Sequence, residues 1–229
     1  MTDAIRIYIA GDSTAASYPA DQAPMAGWGQ MLGAMLTAEA EVRNHASCGR
    51  SSKSFIAEGR LKPIAERLLQ GDYLFVQFGH NDEKPDEQRH TEPFTTYLDH
   101  LMQYIAAARK KGAVPVLFTS VARRHFDADG QLLATHGDYP EAMKKLAAEQ
   151  DVLLIDMEAK TGELYRKLGP EDSKRLFTWL EPGEHPNYPD GAQDNTHFNE
   201  RGAMEVARIA AAELAALCPG LSHYFRKVQ

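Results

Sequence analysis

Ser13 stands just after an apolar run, Ile5 to Ala10, in the segment Gly11-Asp12-Ser13-Thr14, and far along the chain Asp194 precedes His197 by three residues. A serine hydroxyl is a poor nucleophile until an imidazole takes its proton, and that imidazole needs a carboxylate to fix its tautomer and stabilise its protonated form. Ser13, His197 and Asp194 supply these three parts, so acyl transfer through a serine ester is the chemistry to consider first. Asn81, in Gln77-Phe78-Gly79-His80-Asn81-Asp82, adds a neutral side-chain donor of the kind that stabilises a tetrahedral oxyanion. Gly49, in Asn44 to Arg50, can add a backbone N–H that no side chain blocks. Each piece also has an ordinary reading as a turn or cap, with Asn199 as N-cap of a last helix. Their common placement at the ends of apolar runs favours one shared site.

The elements that must position these residues follow from periodicity. Short apolar runs alternate with helix-period segments, and the candidate strands are Ile5–Ala10, Glu41–Ala46, Tyr73–Phe78, Val114–Thr119 and Val152–Ile155. Between them, Trp28–Ala38, Pro93–Lys111, Pro140–Gln150 and Asn199–Leu217 read as helices, with Arg60–Leu69 a shorter one. Pro93 suits a first helical turn, and Gly112 after Lys110-Lys111 suits a stop. This alternation argues for a three-layer α/β/α sandwich around a five-stranded parallel sheet, in one domain spanning 1–229.

The blocks Gly11-Asp12-Ser13, Gly49, Gly79-His80-Asn81-Asp82 and Asp194-x-x-His197 resemble those of the SGNH (GDSL-like) hydrolase superfamily, and they span nearly the whole chain. Within it, Gly11 to Ala16, Ala46 to Ser51, Gln77 to Asp82 and Tyr188 to Phe198 are most similar to the rhamnogalacturonan acetylesterase-like family. The resemblance implies Ser13 as nucleophile, His197 as base, Asp194 as its orienter, and an oxyanion hole from the Ser13 N–H, the Gly49 N–H and the Asn81 side chain. It also implies the flavodoxin-like strand order 2-1-3-4-5, which sets the first and third strands side by side at the switch point where open α/β sheets hold ligands. The chain has no G-x-S-x-G elbow, which separates it from the common α/β-hydrolase pattern.

Composition narrows the partners. A net charge of −7 argues against general affinity for nucleic acid or anionic membranes, and no apolar run is long enough to cross a bilayer. Met1-Thr2-Asp3 lacks the basic and apolar regions of a secretory signal, so a cytoplasmic location is expected. Cys48 and Cys218 have no metal or redox spacing and read as free thiols. His80, His90, His125, His136 and His185 form no helix-face pair, and the mechanism calls for no cofactor and no metal. Monomer and homodimer both remain open.

The resemblance points to an acetylated oligosaccharide as substrate, with rhamnogalacturonan fragments foremost. Trp179 to Asp194 reads as a long loop near the site, where Trp179, Tyr188 and neighbouring amides could contact sugar, although a plain surface loop fits as well. Arg50, Lys53 and Arg60 could attract uronate carboxylates, but solvated helix-face charge is the default, as it is for Arg123-Arg124-His125. One alternative is a lysophospholipase or acyl-thioesterase with an apolar channel to which Met25, Met31 and Met35 contribute; Met31 and Met35 fit a core better. Another is a non-catalytic carbohydrate-binding protein on the same sheet.

Overall fold

The five candidate strands form one parallel sheet, the second of them a half-exposed edge strand. A computed structural model describes residues 4–226; Met1–Asp3, read above for a leader, lies outside the described residues. β1 (Ile5–Gly11), β2 (Ala40–Asn44), β3 (Tyr73–Gln77), β4 (Val114–Phe118) and β5 (Leu153–Ile155) stand in the order β2-β1-β3-β4-β5. All four pairings are parallel, with Ile9 opposite both Asn44 and Phe75. The expected 2-1-3-4-5 order is therefore found.

Successive strand residues point to opposite faces, so a strand apolar throughout feeds two cores at once. Ile7, Ile9, Phe75, Val116 and Phe118 join one buried cluster, while Tyr8, Ala10, Leu74, Val76 and Leu117 join the other. The first cluster is covered by α1 (Trp28–Met31), α6 (Met157–Asp172), α7 (Glu200–Leu217) and α8 (Pro219–Ser222), through Trp28, Tyr165, Val206 and Leu221. The second is covered by α2 (Ser52–Ala57), α3 (Leu61–Arg67), α4 (Thr96–Lys110) and α5 (Tyr139–Gln150), through Phe55, Ile64, Tyr104 and Met143. Met31 and Met35, both partly buried, pack against the first cluster, as a core reading of the pair expects.

Three local expectations need correction. The helix expected over Trp28–Ala38 is a single α turn continued by a 3₁₀ turn, Leu32–Met35; Gly29 and Gly33 within it lower its helix propensity. Pro93 lies in a turn ahead of α4, which begins at Thr96. Residues 177–198 are not simply a loop. They contain β6 (Phe177–Leu180) and β7 (Ala192–Phe198), paired antiparallel as a second, two-stranded sheet. α6 was not expected either, although Asp156 caps it by accepting from the Ala159 N–H and Gly169, at φ 74°, breaks it.

Candidate active site

The rim of the sheet at β1 is shaped by a tight turn. Past Gly11, the Asp12 carboxylate accepts from both the main-chain N–H and the hydroxyl of Thr14, at 2.9 and 2.8 Å. This local bonding competes with further strand pairing, so the chain leaves the sheet at Ser13. The turn then packs on the start of α1, where Trp28 N–H donates to Thr14 O. The fit there is close: a Cβ at Gly27 would lie 2.2 Å from Ala16 O. Tyr18 Oη donates to Ser13 O at 2.9 Å, and the buried Gln77 side chain accepts from Trp28 Nε1 and Thr14 Oγ1. The turn is thereby bound to β1, β3 and α1 together.

β7 brings the other two groups. In a regular strand residues three apart face opposite ways, but the β6–β7 register is irregular: Phe177 pairs with Phe198 and Trp179 with Gln193. In the extra length between them, Asp194 Oδ1 accepts from the N–H groups of Thr196 and His197, at 2.7 and 2.8 Å. That turn swings His197 back over Asp194. His197 Nδ1 donates to Asp194 Oδ2 at 2.7 Å, and Ser13 Oγ donates to His197 Nε2 at 2.9 Å, across 184 residues of sequence. Burial pushes the Asp194 carboxyl up, yet the His197 ring and the two main-chain N–H groups outweigh it and hold the group below the usual carboxylate range. Asp194 is therefore the ionised partner that the imidazole requires.

Asn81 is joined to the loop that carries Gly49 through one carbonyl, that of Arg50. Asn81 Nδ2 donates to Arg50 O at 3.1 Å, which uses one of its two N–H bonds and leaves one for a ligand. Arg89 Nη1 reaches Asn81 Oδ1 at 3.4 Å, fixing which end of the amide faces which way. Gly49 differs from the sequence reading in its reason. No atom crowds its missing Cβ; what demands glycine is its φ of +76°.

Sequence reasoning missed a buried polar framework beneath these residues. His80 Nδ1 donates to Asp12 Oδ2 at 3.1 Å, so the residue before Asn81 holds the residue before Ser13. Burial pushes His80 down to about 4, against the pull of Asp12, and it is neutral at physiological pH. Its ring meets that of His136, which Arg123 and Glu83 engage in turn. Asp82, with no exposed surface, accepts from Ser52 N–H, Ser52 Oγ and Thr91 Oγ1, and so ties α2 to the loop after β3. Burial raises Asp82 to about 7 in spite of those bonds. The adjacency Gly79-His80-Asn81-Asp82 was the available signal: His80, Asn81 and Asp82, side by side, serve three separate tasks.

The sequence-proposed sugar contacts are already engaged. Trp179 Nε1 donates to Asn195 Oδ1, and its ring lies 5.1 Å from the Arg124 guanidinium and 4.7 Å from Lys174 Nζ. Tyr188 Oη donates to Gln22 O, and Asn187 Nδ2 donates to Ala20 O and Ala23 O. These residues hold the hairpin that carries His197. Open space lies elsewhere, in a cavity of about 800 Å³ whose lining includes Gly49, Arg50, Lys53, Glu58 and Arg89.

With a 2-1-3-4-5 parallel sheet and no G-x-S-x-G elbow, the chain falls among the SGNH hydrolases and outside the α/β-hydrolase pattern. The family model for the GDSL-like Lipase/Acylhydrolase family matches residues 9–204, and the chain belongs to that family. It is 54% identical over 217 residues to the rhamnogalacturonan acetylesterase RhgT of Bacillus subtilis, covering 95% of this chain and 92% of RhgT. The crystal structure of the esterase YxiM of Bacillus subtilis superposes with a TM-score of 0.79 at 30% identity, over 94% of this chain and 57% of YxiM. Axe2, an acetylxylan esterase from Geobacillus stearothermophilus, shares the fold, with a TM-score of 0.65 at 18% identity over 93% of this chain and 95% of Axe2.

Proposed function

We propose that this protein is a serine carbohydrate esterase that removes acetyl groups from rhamnogalacturonan oligosaccharides, with Ser13, His197 and Asp194 as its catalytic triad. The observation that carries the chemistry is the unbroken series Ser13 Oγ to His197 Nε2 to Asp194, at 2.9 and 2.7 Å. Ser13 Oγ attacks the acetyl carbonyl as its proton passes to His197 Nε2, and Asp194 stabilises the resulting imidazolium. The oxyanion receives the free Asn81 N–H and the Gly49 and Ser13 main-chain N–H groups. Collapse expels the sugar alcohol, which takes the proton back from His197. A water deprotonated by the same imidazole then attacks the acetyl-serine, and acetate leaves with Ser13 restored.

The substrate rests on the identity to RhgT and on the polar, charged cavity beside Gly49, which suits hydroxyl-bearing sugar rather than a long acyl chain. A cytoplasmic location completes the reading, supported by two free cysteines. Among the described residues no helix is long and apolar enough to cross a membrane. The test is acetate release from acetylated rhamnogalacturonan oligosaccharides beside octanoyl and longer esters. Rapid release from the sugar, lost in Ser13→Ala, is expected; preference for the long acyl chain would overturn the assignment.

A further inference from the structure

The 800 Å³ cavity borders the proposed oxyanion site at Gly49. Gly49 belongs to both, and Arg50 and Arg89, which line the cavity, are the two residues bonded to the Asn81 amide. A sugar whose acetyl group sits on Asn81 must place its neighbours near this wall. Three cations stand there, and each keeps unused N–H donors. Arg50 spends Nε on Glu58 and one Nη1 hydrogen on Cys48 O. Arg89 spends Nε and Nη2 on Asp86 and Nη1 on Asn81. The carboxylates hold both guanidinium groups in place and neutralise much of their charge.

Lys53 differs from both. Its Nζ donates only to the main-chain carbonyl of Glu87, and among the described residues no carboxylate lies within ion-pair distance of it. An ammonium fixed at one of its three donors, in a cavity wall that also carries Glu58 and Glu87 but with no carboxylate in ion-pair contact, is suited to bind an anion. Arg60, grouped with it in the sequence, pairs with Glu58 and takes no place in the lining.

We infer that this cavity is a subsite for an anionic sugar, a uronate adjoining the acetylated unit, whose carboxylate is received by Lys53 with the remaining N–H groups of Arg50 and Arg89. The inference rests on the acetylesterase reading for its orientation, but it concerns binding and is testable without turnover. It makes Lys53 a determinant of specificity for acidic over neutral oligosaccharides.

The test is calorimetric binding of a non-acetylated galacturonate trisaccharide and of xylotriose to the wild-type protein, Lys53→Met and Lys53→Glu. Melting temperature reports that each variant is folded. The acidic trisaccharide should bind wild type at least tenfold more tightly than xylotriose, with the preference reduced in K53M and abolished in K53E. Equal binding of the two sugars by wild type, or an unchanged preference in K53E, would overturn the subsite. Acetate release gives the second arm: the ratio of kcat/KM for acetylated acidic over acetylated neutral oligosaccharides should fall at least tenfold in K53E. If no sugar is deacetylated but the Lys53-dependent preference persists, the esterase reading fails and the anion subsite stands.

Discussion

In the proposed mechanism Ser13, Asp194 and Asn81 make separable contributions to one barrier. Ser13→Ala removes the nucleophile and should abolish acetate release. Asp194→Asn keeps a side chain of similar shape but loses the charge that stabilises the imidazolium, and kcat should fall by about 10⁴. Asn81→Ala removes one oxyanion donor and should cost about 10²–10³ in kcat with little change in KM, read from steady-state kinetics on an acetyl ester. Held below the usual carboxylate range by His197 and two main-chain N–H groups, the Asp194 carboxyl supplies the stabilising charge at neutral pH.

At the scale of elements, the nucleophile turn depends on the contact between Gly27 and Ala16. An alanine at Gly27 places a Cβ 2.2 Å from Ala16 O, so the turn or α1 must move. Gly27→Ala should destabilise the fold by about 1–3 kcal/mol in urea denaturation and lower kcat at least tenfold. Such a contact is not visible in sequence. The strands were legible because residues such as Leu74, Phe75 and Val76 are buried on both faces, which writes an uninterrupted apolar run. β7 was not, because Gln193 to His197 are polar residues half-buried against a two-stranded partner. Asp194 and His197 could still be found, since their chemistry depends on residue type and spacing. Lys53 and Arg89 could not be told from surface charge, because the sequence does not say which cation lacks a carboxylate.

Over the whole molecule, two buried groups couple stability to pH with opposite signs. His80, at about 4 in the folded protein against about 6.5 unfolded, takes up protons less readily when folded. Its contribution makes stability fall as pH drops from about 6.5 to about 4. Asp82, at about 7 folded against about 3.9 unfolded, holds a proton more tightly when folded. Its contribution raises stability as pH drops from about 7 to about 4. Each is a few kcal/mol at full extent, so these two contributions largely offset one another over this window. His80→Gln should then grow more stable on acidification and Asp82→Asn less stable, measured as urea midpoints at pH 7 and pH 4.5. Parallel profiles for the two variants would refute the opposition.

The serine and its base are separated by 184 residues, and the base arrives on a hairpin outside the five-stranded sheet. During synthesis the ribosome therefore completes every strand of that sheet before His197 has been added. A chain ending at residue 190 lacks His197 together with α7 and α8, which cover the first core, and should show no esterase activity. Turnover thus marks arrival of the hairpin, and a fluorogenic acetate ester would time that step.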